Sequence, residues 1–414
     1  MGIAAPSQAI AAAKDRVSIL AHQTARLVSV DVLRGLAMVI MALDHTRDFF
    51  SYLRFEPEDL SHTYGWLFFT RFVTHYCAPT FSFLAGSGAY LATTRGKSVS
   101  QVSRFFLTRG LWLVLLEVTI VDFAWTFIFW PAAGVIWILG WSMVCMALLV
   151  RMPVRWVGIF GVAMIATHNL LDRVPPAFFG KLSWLWMMLH VPGGIPVTPH
   201  FNFYVLIPWV GVMAAGYAFG RILQRPDGRK WTLALGLAMT ALFFLLRGLN
   251  LYGNSRVGLG DGVPYSTGPW RVQPTTTLTL ISFFNTLKYP PSLHYLLMTL
   301  GPSLTLLALL DGIKAERGLG RVLLVYGRVP LFYYVLHLYL IHLLAIVVGL
   351  LFHQPVSWLW HGGVLVLGIP PGYGHGLPFV YGIWFLVLVI LYLSCRWFMV
   401  YKQQHRDWTW LSYL

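Results

Sequence analysis

Ionisable side chains gather in a stretch of this chain that is otherwise apolar. The segment SVDVLRGLAMVIMALDHTRDFF carries Asp31, Arg34, Asp44, His45, Arg47 and Asp48. On a helix, Arg34 and His45 fall within about 20° of one another and about 16 Å apart along the axis, with Asp31 within about 40° of the same line. One face is therefore expected to hold a charge pair at one end and an imidazole at the other. That separation is close to the reach of an extended pantetheine arm. Arginine forks grip phosphates, and an imidazole can serve as general base or carry an acyl group. The competing reading makes Asp31–Arg34 an interfacial pair and His45 an outward-reaching residue. Asp44 and Arg47 can pair at i,i+3. A carboxylate can hold a histidine's tautomer, so Asp44 is expected to orient an imidazole, either His45 or one from another helix.

Other candidates follow along the chain. His75 precedes a Cys77-Ala78-Pro79 break, and a proline break is tolerated where it lines a cavity. It is expected to join His45 and Asp44 in catalysis, against a reading as a helix-to-helix hydrogen bond. Gly86, Ser87 and Gly88 suit close helix contact. Arg104 and Arg109 are expected to grip nucleotide phosphates with Arg34, Asp31 joining them in a cofactor-binding set, against a reading as plain topogenic charge. Glu117 and Asp122 lie deeper in the same stretch, and spacing names no partner for Glu117. Arg47, Asp48, Lys288 and His294 are read as substrate-binding. His337 and His342 are about 140° apart and share no face. No His-x-x-x-His pair occurs, and Cys77, Cys145 and Cys395 form neither a disulfide framework nor a metal spacing. No metal is expected.

The elements that must position these groups are apolar helices. The 414 residues are 57% apolar and 11% charged, against roughly 45–50% and about 25% in average globular chains. A soluble enzyme, a disordered chain and a disulfide scaffold are poor fits. About 20 apolar residues make a span, and ten stretches qualify, near 30–50, 66–94, 106–130, 133–151, 154–171, 203–222, 231–250, 291–310, 329–350 and 378–399. The third is expected to kink near Trp130-Pro131. A short helix at 177–191, rich in Trp and Met, is read as interfacial and would be an eleventh if it crossed. The fold class is an all-α polytopic bundle of about ten spans. Residues 1–27 are expected to be a disordered cytoplasmic segment, 28–400 the transmembrane domain and 401–414 a cytoplasmic tail.

Charge sets the expected orientation. Of the 30 Lys and Arg residues, 21 fall in segments that alternate to one side and nine in the others. Positive charge favours the cytoplasm, so both termini are expected there, in an inner membrane. Loops 172–202, 251–290 and 351–377 are then outside. The formal charge of +15 suits loop bias and anionic lipid rather than nucleic acid. No Gly-Lys-Ser phosphate loop argues for an ATP-driven pump.

Four blocks carry a resemblance. SVDVLRGLAMVIMALDHTRDFF, RFVTHYCAPTFSFLAG, NTLKYPPSLHYLLMTLGP and GRVPLFYYVLHLYLIH resemble a bacterial multispanning membrane family. Its domain takes its name from heparan-alpha-glucosaminide N-acetyltransferase, a lysosomal membrane enzyme. The likeness runs over roughly 28–400, and the Asp-x-x-Arg-Gly opening is similar to membrane acyltransferases in general. It implies transfer of an acetyl or acyl group from cytosolic acyl-CoA to an acceptor across the membrane, a sugar, glycan or lipid head group. In the lysosomal enzyme a lumenal histidine is proposed as catalyst or acyl carrier, and His62 is the nearest residue here. An asparagine of that enzyme falls on His45, and His75 takes an aspartate position. Expected partners are membrane lipids, acyl-CoA and a sugar or glycan acceptor, with homo-oligomerisation left open. The rival readings are a transporter or lipid flippase without acyl transfer, and a proton- or metal-handling channel. Broken helices and buried ions suit a transporter as well, but the two halves show no inverted repeat.

Overall fold

A computed structural model describes residues 6–93, 96–195, 201–254, 268–313, 315–405, 407–408 and 410–411, with side chains from residue 28 onward. Arg95, Arg256, Lys314 and Arg406, which entered the charge count, lie outside the described residues, and so do the side chains of Lys14, Arg16 and Arg26. The chain is mostly helical. In order the helices are α1 (Pro6–Phe50), α2 (Gly65–Thr74), α3 (Cys77–Thr93), α4 (Val99–Leu116), α5 (Asp122–Thr126), α6 (Val135–Leu149), α7 (Val154–Thr167) and α8 (Ser183–Leu189). They continue with α9 (Leu206–Leu223), α10 (Gly228–Gly248), α11 (Thr276–Phe284), α12 (Leu293–Leu309), α13 (Gly318–Arg328), α14 (Pro330–Leu351), α15 (Gly363–Val366) and α16 (Leu377–Gln404).

Each of the ten expected stretches contains helix, but among the described residues only five segments are long and apolar enough to cross a membrane: Val154–Arg173, Leu206–Leu223, Gly228–Gly248, Pro330–Leu351 and Leu377–Gln404. Val135–Leu149 and Leu293–Leu309 are apolar but shorter. Several expectations change. The stretch 66–94 is two helices, because the chain turns at His75 and Tyr76 and Pro79 sits in the first turn of α3, where a missing N–H costs little. The third stretch breaks earlier than Trp130: a π-helical turn at Glu117–Val121 separates α4 from α5, which ends on left-handed Phe127. Residues 6–27 are helix continuous with the rest of α1. The fold is also not purely helical. Strands β1 (Ala132–Ala133), β2 (Gly193–Gly194) and β3 (Phe201–Asn202) make a small sheet in the order β1-β3-β2, parallel between β1 and β3 and antiparallel between β2 and β3.

Burial distinguishes the helices. In α9, 67% of the apolar window is buried, against 22% in α10 and α16. The latter two turn apolar side chains such as Leu245 and Phe385 outward, as lipid contact requires. Without a hydrophobic drive between helices in lipid, association relies on close packing of small residues. At the crossing of α1 and α13, a Cβ on Gly35 would stand 1.8 Å from the Leu323 carbonyl oxygen, and one on Gly327 would stand 1.8 Å from that of Asp31. α3 meets α9 the same way through Gly86 and Gly216. Ser98 and Gln101 form a reciprocal capping box at the start of α4. The result is a frame in which α1, α3, α4, α6 and α14 surround an open interior.

Candidate active site

Two cavities occupy that interior, one beside Arg34 and one beside His45. The first has a volume of about 300 Å³. Arg34, Lys97 and Arg109 line it together with the apolar side chains of Met38, Leu84, Phe106, Leu113 and Met143. Arg34 Nη1 donates to Asp31 Oδ1 at 2.9 Å and to the Gly327 carbonyl at 3.0 Å. These bonds fix the guanidinium at the α1–α13 crossing. Lys97 Nζ and the Arg109 guanidinium lie 5.3 and 5.8 Å from the Phe105 ring centre, within cation–π range. Three cations thus line an otherwise apolar space.

Arg104 does not join them. It is exposed and lines neither cavity. The reason is helical phase: five residues separate it from Arg109, which is about 140° around α4. Lys97 takes its place, from a turn just before α4 where no helical periodicity pointed to it.

The second cavity is larger, about 810 Å³. Asp44, His45, Arg47 and Asp48 from α1 reach it, with Arg54, Glu56, Asp59 and His62 from the following loop, Arg71 from α2, Glu117 and Asp122 from the π-turn region, and Lys288. Trp125, Trp130, Phe201, Phe203, Tyr204, Tyr289 and Tyr334 give it aromatic walls. The small sheet supplies Ala132 and Phe201 to its rim. Val135 and Tyr334 line both cavities, so these two side chains form the partition between them.

His45 is half-buried and its Nδ1 lies 2.7 Å from His337 Nε2. Its ring stands 4.7 Å from Trp125 and 6.4 Å from Tyr334, centre to centre. The expected service of Asp44 to His45 is corrected here. Asp44 Oδ2 is bonded by Arg71 Nη1, and Asp44 Oδ1 is 2.9 Å from Arg47 Nη2. Adjacent residues on α1 point apart, and the carboxylate is committed to two guanidinium groups. His337 is its replacement as the partner of His45. Sequence reasoning missed this role because the pair is 292 positions apart and no local spacing connects it.

His75 is corrected as well. It is buried and lies outside the cavity lining. Its Nε2 sits 3.3 Å from Glu58 Oε1, and its carbonyl accepts from the Tyr295 hydroxyl at 2.8 Å. Glu58 Oε1 also accepts from Arg71 Nε at 2.8 Å, and the Glu58 carbonyl accepts from Asn285 Nδ2 at 2.8 Å. An ionic chain therefore runs Asp48–Arg47–Asp44–Arg71–Glu58–His75. Three carboxylates face two guanidinium groups, and Lys288 adds a third cation at the cavity wall. Burial pushes the Glu58 carboxyl up, but the Arg71 guanidinium and the His75 hydrogen bond override it and hold it well below the usual glutamate range.

Of the residues read as substrate-binding, Arg47, Asp48 and Lys288 line the cavity. His294 does not: it is buried between Asn254, 3.0 Å away, and Phe243. His62 stands on the rim and donates from Nδ1 to Asp59 Oδ2 at 2.7 Å. The Ser61 hydroxyl and His62 hold the Asp59 carboxyl below its usual range. The partner that Glu117 lacked in the sequence is backbone: Gly134, Trp137 and Ile136 at the start of α6 donate to it, as helix N-termini do for anions. Asp122 Oδ2 accepts from the Ala132 N–H at 3.0 Å. Among the described residues no group of three His, Cys, Asp or Glu side chains is arranged to hold a metal ion.

Residues 26–252 match the family model described as "Heparan-alpha-glucosaminide N-acetyltransferase, catalytic". The matched region holds Arg34, Lys97, Arg109, His45 and the ionic chain, and ends before Lys288 and His337. No curated protein matches the chain.

Proposed function

The chain belongs to the heparan-alpha-glucosaminide N-acetyltransferase catalytic family of membrane proteins, and from that premise we propose that it transfers an acetyl or short acyl group from acyl-CoA to an acceptor held on the far side of the membrane. The observation that carries this reading is the pair of abutting cavities strung along α1, with Arg34 in one and His45 in the other. The first cavity fits a CoA thioester: cations at its mouth match phosphates, and its apolar throat matches a pantetheine arm. The basic bias of the sequence places that mouth at the cytoplasm and both termini with it, in an inner membrane. The second cavity, outward-facing, takes the acceptor. Aromatic walls and paired charges suit a sugar, a glycan or a lipid head group.

The chemistry follows from the position of His45. Its ring meets Tyr334 at the partition, where a thioester carbonyl entering from the first cavity would arrive. His45 Nε2 takes the proton from an acceptor hydroxyl or amine as that oxygen or nitrogen attacks the carbonyl carbon. The C–S bond then breaks, the acyl group stays on the acceptor, and the departing thiolate recovers the proton from Nε2 as free CoA thiol. Arg47, Asp48 and Lys288 hold the acceptor. Asp44, Glu58 and His75 act at one remove, by fixing Arg71 and the loop that rims the cavity.

A pair of abutting cavities would also serve a flippase, and one assay separates the two. Purified protein in lipid nanodiscs is given radiolabelled acetyl-CoA, with glucosamine as the first probe acceptor because the family is named for a glucosaminide. Saturable binding of acetyl-CoA and acceptor-dependent release of CoA are expected. His45→Ala should retain binding and lose about 10²–10⁴-fold in turnover. Absence of acetyl-CoA binding overturns the reading in favour of a transporter.

A further inference from the structure

The contact between His45 and His337 determines a tautomer. His337 Nδ1 lies 3.1 Å from the Tyr333 carbonyl oxygen. A carbonyl only accepts, so His337 Nδ1 carries a proton and, in the neutral ring, Nε2 carries the lone pair. That lone pair is 2.7 Å from His45 Nδ1, which must therefore donate. The remaining nitrogen of His45, Nε2, is left with its lone pair on the cavity side. Imidazole side chains in water favour the opposite tautomer, with the proton on Nε2, in which His45 could not act as a base towards the cavity.

His337 is well placed to enforce this. It is fully buried, so water cannot replace its partners. The rings of Tyr333 and Tyr334 each lie 5.4 Å from it, and its own hydrogen bond runs back one turn of α14. The Asp44 carboxylate, which adjoins His45 in sequence, is held by Arg71 and Arg47 and does not compete for Nδ1.

We propose that His337 is the positioning residue of the reaction: through the Tyr333 carbonyl–His337–His45 chain it sets the proton on His45 Nδ1 and presents the Nε2 lone pair to the acceptor. This rests on His45 being the base. His337 keeps its single proton on Nδ1 throughout. Only Nε2 of His45 gains a proton from the acceptor and gives it up to the thiolate, while the Nδ1–H bond to His337 stays in place in the neutral and the charged ring.

Nitrogen-15 NMR of histidine-labelled protein in lipid bilayers tests this without an acceptor. The His45 signals are identified by their loss in His45→Ala. The wild-type protein at neutral pH is expected to show His45 protonated on Nδ1, and His337→Ala to shift it towards the Nε2-protonated form. Turnover in the acetyl-CoA assay should fall at least about tenfold in His337→Ala with acetyl-CoA binding unchanged. His337→Gln, whose amide can accept from His45 and donate to Tyr333, should recover much of it. An Nε2-protonated His45 in the wild-type protein overturns the proposal, and so does equal turnover loss in the Ala and Gln variants. Should His337→Ala not fold, the wild-type spectrum and the Gln variant decide. Undiminished turnover in His45→Ala would instead sink the base reading, an outcome the tautomer measurement does not share.

Discussion

At the scale of single residues, charge near the membrane edge divides into groups that face the interior and groups that do not. Arg109 and Arg104 sit on the same helix, yet only Arg109 lines the Arg34 cavity. Charge-assisted bonds contribute about 1.5–3 kcal/mol each. Arg109→Ala is therefore expected to weaken acetyl-CoA binding roughly tenfold or more, and Arg104→Ala to leave it unchanged, by equilibrium binding to the purified variants. The reverse order would move the donor's phosphates to another face of α4. Glu58 invites a different measurement. Its depressed pKa makes it a stabilising anion at neutral pH, fully so above the ordinary glutamate range, and that contribution is lost as pH falls through the lowered folded value. Breaking one partner of a buried ion pair costs about 3–5 kcal/mol. Thermal melts should show Glu58→Gln well below wild type at pH 7, with the gap narrowing below about pH 4.5. A gap that widens in acid would contradict the sign. The sequence made Arg34 and His45 legible through one helical period. His337, Lys97 and the Glu58–His75 bond were not, because each depends on chain segments brought together only by packing.

Among the elements, glycine has two opposite uses. Gly327 lets α13 touch α1, and the Arg34 guanidinium binds its carbonyl. Gly88 of α3 has nothing within 4 Å of where a Cβ would stand, and it lines the Arg34 cavity. Gly327→Ala should therefore force the two helices apart, lower the melting temperature and loosen Arg34. Gly88→Leu should keep the melting temperature of the wild type and block acetyl-CoA binding, because the new side chain enters the cavity rather than a neighbour. A destabilised Gly88→Leu that still binds would show that the space lies elsewhere. The small-residue run Gly86-Ser87-Gly88 was legible as a packing motif, but which member packs and which stays open was not. Apolar periodicity located the helices well. It could not foresee the π-turn at Glu117–Val121, which breaks the helix inside a continuously apolar run, whereas the break expected at Cys77-Ala78-Pro79 falls just before it, at His75 and Tyr76.

For the whole molecule, the alternation of basic segments remains the strongest statement about sidedness, and it can be tested directly. Single cysteines at Lys97 and Glu56, in a background with Cys77, Cys145 and Cys395 replaced, should react with an impermeant maleimide from opposite sides of sealed inverted and right-side-out vesicles. Lys97 is expected to react from the cytoplasm and Glu56 from outside. Labelling of both from one side would undo the two-sided mechanism together with the N-in, C-in topology. The span count is a separate matter from the orientation. Val135–Leu149 and Leu293–Leu309, counted as crossings in the sequence, are short, and hydropathy alone does not distinguish core from lipid.

The partition formed by Val135 and Tyr334 has a consequence for the cell that houses the protein. On the proposed two-sided reading the cavities open to opposite faces, and the layer between them is little more than a phenol ring and an isopropyl group. On that reading the protein would hold the membrane potential across the thin septum while admitting the acyl group of each thioester. Narrow, planar acetyl can slip by a tyrosine that stays closed to hydrated ions, whereas a bulky branched chain would have to prise the septum open. Electrical tightness, as much as fit to any acceptor, would then restrict the donor to its shortest acyl groups.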